Sequence, residues 1–315
     1  MAYIHYPNAP LPPFRQTILT IGTFDGVHIG HRKIIEQVTN LAKQRECESV
    51  LISFDRHPRH IVQTAKQPST PIRLLSPLPE KLRLLANCGL DHVVITAFTE
   101  DFASQSPEAY LSDFLAHRFA PACIVIGYDH RFGKDRAGGF DLLCRAGKQY
   151  SFDVQEIEKQ LVADIAVSST KIRQALDTGN IEVANNLLGY PYTLHGTVTQ
   201  GKQIGRTIGY PTANLILEDP EKLIPAQGVY AVVVQLPQKN QSYKGLLNIG
   251  TRPTVGGTEQ TIEVHLLNFS GDLYGQTLSL ELKQYLRPEM RFPNLSALVE
   301  QIGRDQKKLE EAMFM

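Results

Sequence analysis

Hydrophobic residues in the first half of the chain come in short runs separated by amphipathic stretches. Thr17–Ile21, Ser49–Phe54, His92–Thr96 and Ile124–Ile126 have the length and composition of strands. Between them Gly30–Arg45, Glu80–Asn87 and Pro107–Phe119 carry apolar positions at helical spacing. Ser168–Leu176 reads as a further helix start, with Ser168, Ser169 or Thr170 as its cap. Strand and helix in alternation predict a parallel, Rossmann-like sheet with helices on both faces. Such sheets take their ligands at the carboxyl ends of the strands.

After about Asn180 the rhythm changes. Tyr192–Thr199, Val229–Leu236, Tyr243–Asn248, Thr261–Phe269 and Thr277–Tyr285 are short β-rich runs punctuated by Gly and Pro. They predict a small antiparallel β-barrel, closed by a terminal helix over Leu295–Met313. Gly179–Tyr190 is the expected junction, which divides the chain into residues 1–180 and 181–315. The expected fold class is therefore an α/β N-terminal domain with a parallel sheet, followed by an antiparallel β-barrel with a terminal helix.

One segment concentrates the chemistry. Gly22-Thr23-Phe24-Asp25-Gly26-Val27-His28-Ile29-Gly30-His31 follows an apolar strand and opens a helix. A helix start offers unpaired backbone N–H groups and a positive dipole end, which favour phosphate. Glycines at 22, 26 and 30 allow close approach of the backbone. Two imidazoles three residues apart share a face and can donate hydrogen bonds to charge developing on a phosphate. Two solvated surface histidines are the plain alternative, and the Gly-rich strand-to-helix turn weighs against it. Zinc is a weaker option, for the segment supplies no third ligand.

Composition narrows the partners. The 315 residues suffice for two domains, with 42% hydrophobic and 20% charged positions, as in a soluble globular protein. Thirty-two Lys and Arg balance 32 Asp and Glu, so no basic field exists to hold nucleic acid. Cys47, Cys88, Cys123 and Cys144 form no Cys-x-x-Cys pair, and read as buried free thiols of a reducing cytoplasm. Met1–Pro13 is proline-rich and lacks the apolar centre of a signal peptide. No apolar run approaches the ~18 residues that span a bilayer. A cytoplasmic location with neither nucleic acid nor membrane as partner is expected; oligomeric state is left open.

Val167-Ser168-Ser169-Thr170-Lys171-Ile172-Arg173 places hydroxyls at a helix start and a cation one turn on, a second anion cradle. Taken with the opening motif, this segment resembles the adenylyl-transfer domain of bacterial bifunctional riboflavin kinase/FAD synthetase. Ser53-Phe54-Asp55-Arg56-His57-Pro58-Arg59 and Gly127–Gly133 fit the same pattern. His130, in place of an aromatic residue, and Lys171, in place of Arg, depart from it. The resemblance implies that His28 and His31, with Ser169, Thr170 and Arg173, hold the ATP phosphates. It adds Gly22, Phe24, Asp25 and Gly30 to the nucleotide site, and sets Asp129 near the bound nucleotide or flavin.

Gly201-Lys202-Gln203-Ile204-Gly205-Arg206-Thr207-Ile208-Gly209-Tyr210-Pro211-Thr212-Ala213-Asn214 resembles the riboflavin-kinase signature of the same family. Gly201, Gly205 and Gly209 suit a loop whose amides wrap phosphates, with Arg206 beside them. Thr212 and Asn214 offer oxygen ligands to a hard ion such as Mg²⁺. In Thr261–Leu266, Ile262, Val264 and Leu266 share one strand face and leave Glu263 on the other. By the resemblance, Glu263 faces the terminal ribityl hydroxyl and acts as general base. Asn248 and the segments Asn248–Thr254 and Leu286–Glu289 belong near that site, whereas Arg252 and Arg287 read equally as surface residues.

The implied activity is ATP-dependent phosphorylation of riboflavin to FMN, then adenylylation of FMN to FAD and pyrophosphate. ATP, riboflavin, FMN and FAD are the implied partners and Mg²⁺ the implied cofactor. A flavin-binding or flavin-sensing protein with degenerate catalysis is the alternative, against which Glu263 and both histidines weigh. The N-terminal pattern alone also serves cytidylyl and pantetheine-phosphate adenylyl transfer; the second signature is what selects a flavin.

Overall fold

The computed structural model describes residues 2–7, 9–61, 72–127, 130–157, 167–201, 205, 208–236, 240–254 and 257–312, without the side chains of 252–254, 257–259 and 312. The chain forms two compact units, Met1–Ser169 and Thr170–Met315.

The first unit is built on six parallel strands: β1 (Tyr3–His5), β2 (Thr17–Ile21), β3 (Glu48–Phe54), β4 (His92–Thr96), β5 (Pro121–Gly127) and β6 (Asp153–Ile157). Their order is β1-β4-β3-β2-β5-β6. From β2 the chain builds outward through β3 and β4, then returns to lay β5 on the other side of β2. The reversal makes the carboxyl ends of β2 and β5 the crevice where such sheets bind ligands. The Gly22–His31 segment leaves β2 there, and Gly127 ends β5 there.

Alternating strand residues feed two apolar layers. Leu19, Ile21, Val50 and Ile124 point to one, against Tyr110, Phe114 and Leu143. Ile18, Leu51, Val93 and Val125 point to the other, against Ile35 and Val38 of the helix Ile29–Arg45 and Leu82 and Leu85 of the helix Leu78–Ala86. The single helix expected over Pro107–Phe119 is instead three consecutive segments, Pro107–Ala109, a π-helical Tyr110–Ala116 and His117–Phe119. Widening the turn brings Tyr110, Leu111, Phe114 and Leu115 all to the buried side.

In the second unit β7 (Thr193–Thr199), β8 (Ala213–Leu217), β9 (Gly228–Leu236), β10 (Gln241–Thr254), β11 (Gly257–Leu266) and β12 (Thr277–Arg287) close into an antiparallel barrel, ordered β10-β11-β8-β7-β12-β9. Leu247, Ile249, Ile262 and Val264 are buried. The terminal helix Leu295–Ala312 packs Ile302 and Leu309 against Val229, Ala231 and Leu246. The expected junction Gly179–Tyr190 holds a helix, Ile181–Leu188, capped by the Asn180 side chain and ended by left-handed Gly189. Its Asn185 amide donates to Leu282 O at 2.9 Å, docking the helix on the barrel. Among the four cysteines only Cys123 is buried; Cys47, Cys88 and Cys144 keep partial exposure, contrary to the expectation for all four.

Candidate active sites

The turn after β2 is strained and clamped. Phe24, Gly26 and Val27 have φ of 48°, 84° and 36°. Glycine accepts this conformation freely, whereas a β-branched valine does not; such residues cost about 1–3 kcal/mol each. Burial of Phe24 and Val27 in the core offsets that cost. The Asp25 carboxylate adds a clamp by accepting from the backbone N–H of Leu75 at 3.1 Å and of Ser76 at 2.9 Å. Gly26 N–H donates to Ser76 Oγ at 2.7 Å. These bonds hold residues 75–76 against the turn.

His28 caps the helix Ile29–Arg45, its Nδ1 accepting from the His31 N–H at 3.2 Å. One of the amides expected to be open at this helix start is therefore taken. With Nδ1 an acceptor, a neutral His28 ring carries its proton on Nε2. The two imidazoles stack, with centroids 3.6 Å apart and planes 13° from parallel. His31 Nδ1 is sealed from solvent and has no hydrogen-bond partner among the described residues. Burial first, then the neighbouring His28 and Lys81, push the His31 pKa well below its ordinary value.

Lys81 was not among the residues picked out by motif. It is buried, and its ammonium donates to Thr23 O at 3.3 Å, Ser53 Oγ at 3.0 Å and Phe54 O at 2.8 Å. Burial lowers its pKa to about 8, against the pull of Asp25 and Asp55. The sequence did carry a signal: Leu78, Lys81, Leu82 and Leu85 form one helical stripe, so this lysine stands in an apolar row.

Gly22 lies under the Phe24 ring, where a Cβ would come within 3.1 Å, and Gly30 is buried in the first helical turn. Ser169 Oγ, at the end of the first unit, donates to Asp25 O at 3.0 Å, and Ser169 also opens the helix Ser169–Asp177. Thr170 and Arg173 follow on that helix. Asp129 and Arg206 fall outside the described residues. A narrow cleft lined by Thr23, Asp25, Phe54, Asp55, His57 and Lys81 opens at the ends of β2 and β3. A larger open hollow, near Arg15, Tyr150 and Asp153, lies by the opposite strand ends, away from these groups.

On the barrel, strand pairing sets four polar residues side by side. Asn248 pairs with Glu263, Glu263 with Asn214, and Asn214 with Thr199. Ile262 and Val264 are buried on the opposite face of β11, so this row lies on the outside of the barrel. Thr212 Oγ1 donates to Glu263 Oε2 at 3.3 Å. Gly201 passes so close to the Asn214 amide that a Cβ there would sit 2.1 Å from Nδ2. Gly205 O accepts from Ile208 N–H at 3.3 Å and Tyr210 N–H at 2.8 Å, and Gly209 takes φ of 84°.

Two further residues brace this row. Glu289 Oε1 accepts from Asn248 Nδ2 at 3.2 Å. His265 donates from Nδ1 to Pro211 O at 2.8 Å, next to Thr212. Arg287 is no surface residue: its guanidinium grips the buried Asp305 through Nε at 3.1 and 2.9 Å and through a second nitrogen at 2.9 Å. It ties β12 to the terminal helix.

Comparison with known proteins assigns the chain to a family. Residues 12–171 match the FAD synthetase family model, and residues 188–313 the riboflavin kinase model. The bifunctional riboflavin kinase/FMN adenylyltransferase of Escherichia coli strain K12 is 39% identical over 304 residues, covering 96% of this chain and 95% of that protein. The chain belongs to the bifunctional riboflavin kinase/FMN adenylyltransferase family. The Listeria monocytogenes member of that family is 34% identical over 291 residues, covering 92% of this chain and 90% of its own. A crystal structure from Streptococcus pneumoniae, described as a macrolide-efflux protein, is also similar: TM-score 0.84, 28% identity, 98% of each chain covered. No helix among the described residues here is long and apolar enough to cross a membrane. The glycine turn with its histidines lies within the segment matched to FAD synthetase, and the Asn248–Glu263–Asn214 row within that matched to riboflavin kinase.

Proposed function

We propose that residues 181–315 phosphorylate riboflavin and residues 1–180 adenylylate the FMN so formed. The observation that carries this reading is the presence of both family segments in one chain, each containing its own cluster of polar groups. A flavin sensor without catalysis would not need Glu263 aligned with Thr212 and Asn214.

In the kinase step the Glu263 carboxylate takes the proton of the terminal ribityl hydroxyl. That oxygen bonds to the γ-phosphorus of ATP as the bond to ADP breaks. A positioned carboxylate base contributes about 10²–10⁴ in rate, and phosphoryl transfer otherwise depends on alignment and charge neutralisation. The Thr212 hydroxyl and the Asn214 amide oxygen are hard donors on neighbouring positions and fit Mg²⁺. Bound there, Mg²⁺ supplies neutralisation of phosphate charge. Gly201, Gly205, Arg206 and Gly209 then wrap the phosphates, and Asn248, held by Glu289, flanks the base.

In the adenylyl step an FMN phosphate oxygen attacks the α-phosphorus of ATP and pyrophosphate leaves. The nucleophile is already anionic at neutral pH, so no strong base is required. His28, through Nε2–H, and His31 stabilise charge on the transferring and leaving phosphates. Ser169, Thr170 and Arg173 are further phosphate contacts on the ground of the family motif, with Asp129 toward the nucleotide or flavin. Gly22, Phe24, Asp25 and Gly30 serve by shaping the turn.

Chromatographic separation of FMN and FAD after incubation with riboflavin, ATP and Mg²⁺ tests the whole reading. Both products are expected. Flavin binding without ATP turnover would establish the sensor instead. The reactants are soluble metabolites, which accords with a cytoplasmic enzyme.

A further inference from the structure

A buried ammonium needs a reason to be where it is, because removing it from water is costly. Lys81 sits on the inward stripe of its helix, in a place an apolar residue would fill at no such cost. Its three hydrogen bonds end on oxygens of Thr23, Ser53 and Phe54. An ammonium has three N–H donors and a neutral amine has two, so this arrangement requires the charged form. Thr23 belongs to the glycine turn, while Ser53 and Phe54 end β3. Lys81 therefore ties that turn to the neighbouring strand end.

The same charge acts on His31. That ring lies face to face with His28 at 3.6 Å, and its Nδ1 is sealed without a partner among the described residues. Two imidazolium rings at that separation would repel each other. The titratable groups that face His31 are His28 and Lys81, both of which oppose a proton on it. Asp25 and Asp55 act on Lys81, not on the ring, and favour the ammonium.

We propose that Lys81 is a positioning residue of the adenylyl-transfer site, fixing the glycine turn that carries the stacked His28 and His31, with its charge acting on the His31 ring. This rests on the reading of His28 and His31 as that site. Lys81 acts on the site through Thr23 and His31. The His31 pKa, already low from burial, is lowered further by this charge.

The test is an NMR titration of the His31 ring in the full-length protein, paired with assays of FAD and FMN formation. In Lys81→Met the His31 midpoint is expected to rise by about half a pH unit or more. FAD formation from FMN is expected to fall about tenfold to a hundredfold, with FMN formation unchanged and a wild-type circular dichroism spectrum as the sign of an intact fold. An unmoved His31 midpoint, or undiminished FAD formation, overturns the inference. Should the variant fail to fold, the wild type decides: its His31 resonance must show a second inflection near pH 8 as Lys81 loses its proton, and a single inflection overturns the proposal. His31→Ala separates this inference from the reading beneath it. If that variant keeps full FAD formation, the site assignment falls and the role of Lys81 with it. If it loses FAD formation while Lys81→Met changes nothing, only the role of Lys81 falls.

Discussion

Thr212 and Glu263 meet at 3.3 Å, hydroxyl to carboxylate, with Asn214 paired directly opposite Glu263 on the adjoining strand. On the proposed reading these are a base and two oxygen donors, and removal of one member disrupts the unit. Glu263→Gln keeps the size and loses the basic oxygen, so FMN formation should fall about 10²–10⁴-fold. FAD formation from supplied FMN should persist. Chromatography of both products gives the answer, and parallel loss of both activities would reject the division of labour.

The converse holds for His28. His28→Ala removes both the helix cap and the Nε2–H donor. FAD formation should drop about 10²–10³-fold, the range for losing a donor to a developing anion, while riboflavin is still phosphorylated.

These two sites were legible to different depths. The strands Thr17–Ile21 and His92–Thr96 stand where the apolar runs placed them, because parallel strands buried on both faces read as near-continuous hydrophobic segments. β1 and β6 escaped notice for the opposite reason. They are the sheet's edges, with mixed sequences such as Asp153-Val154-Gln155-Glu156-Ile157 whose pattern is too polar to register. The face that Glu263 takes was readable from strand alternation, whereas its part in catalysis came from the family resemblance. The roles of Asp25 and Arg287 were not, because each is decided by a partner far along the chain: residues 75–76 for one and Asp305 for the other. His265 lay in plain view two positions beyond Glu263, yet only the fold brings Pro211 to it.

A side chain at Gly201 should push Asn214 aside. A Cβ there would meet Asn214 Nδ2 at 2.1 Å and Cγ at 2.6 Å. Gly201→Ala must displace the Asn214 amide, so the KM for Mg·ATP in the kinase reaction should rise while FAD formation from FMN is untouched. Steady-state kinetics with each substrate varied provides the check.

The Arg287–Asp305 pair makes a stability prediction. Asp305 is 1% exposed, so truncating its partner leaves a buried charge uncompensated. Arg287→Ala should destabilise the second unit by about 3–5 kcal/mol, read as a lowered denaturant midpoint with FMN formation lost alongside.

Lys81 links stability to pH. Unfolded, the lysine keeps its proton up to the ordinary value of 10.5; folded, it gives the proton up at about 8. Between those values the unfolded chain binds more protons, so this contribution to stability rises with pH. Below about pH 8 its full cost is present, on the order of 3 kcal/mol. The stability of wild type relative to Lys81→Met should therefore rise from pH 7.5 to pH 10, as followed by denaturant titrations. A difference independent of pH would show that the ammonium is not held at a cost.

Because the six strands of the second unit join into a ring, none offers a free margin along which it could slip past its neighbour or recruit a foreign strand. Asn248, Glu263 and Asn214 are therefore held in line by the ring itself. Loss of FMN formation on heating should coincide with melting of the barrel, as one cooperative event.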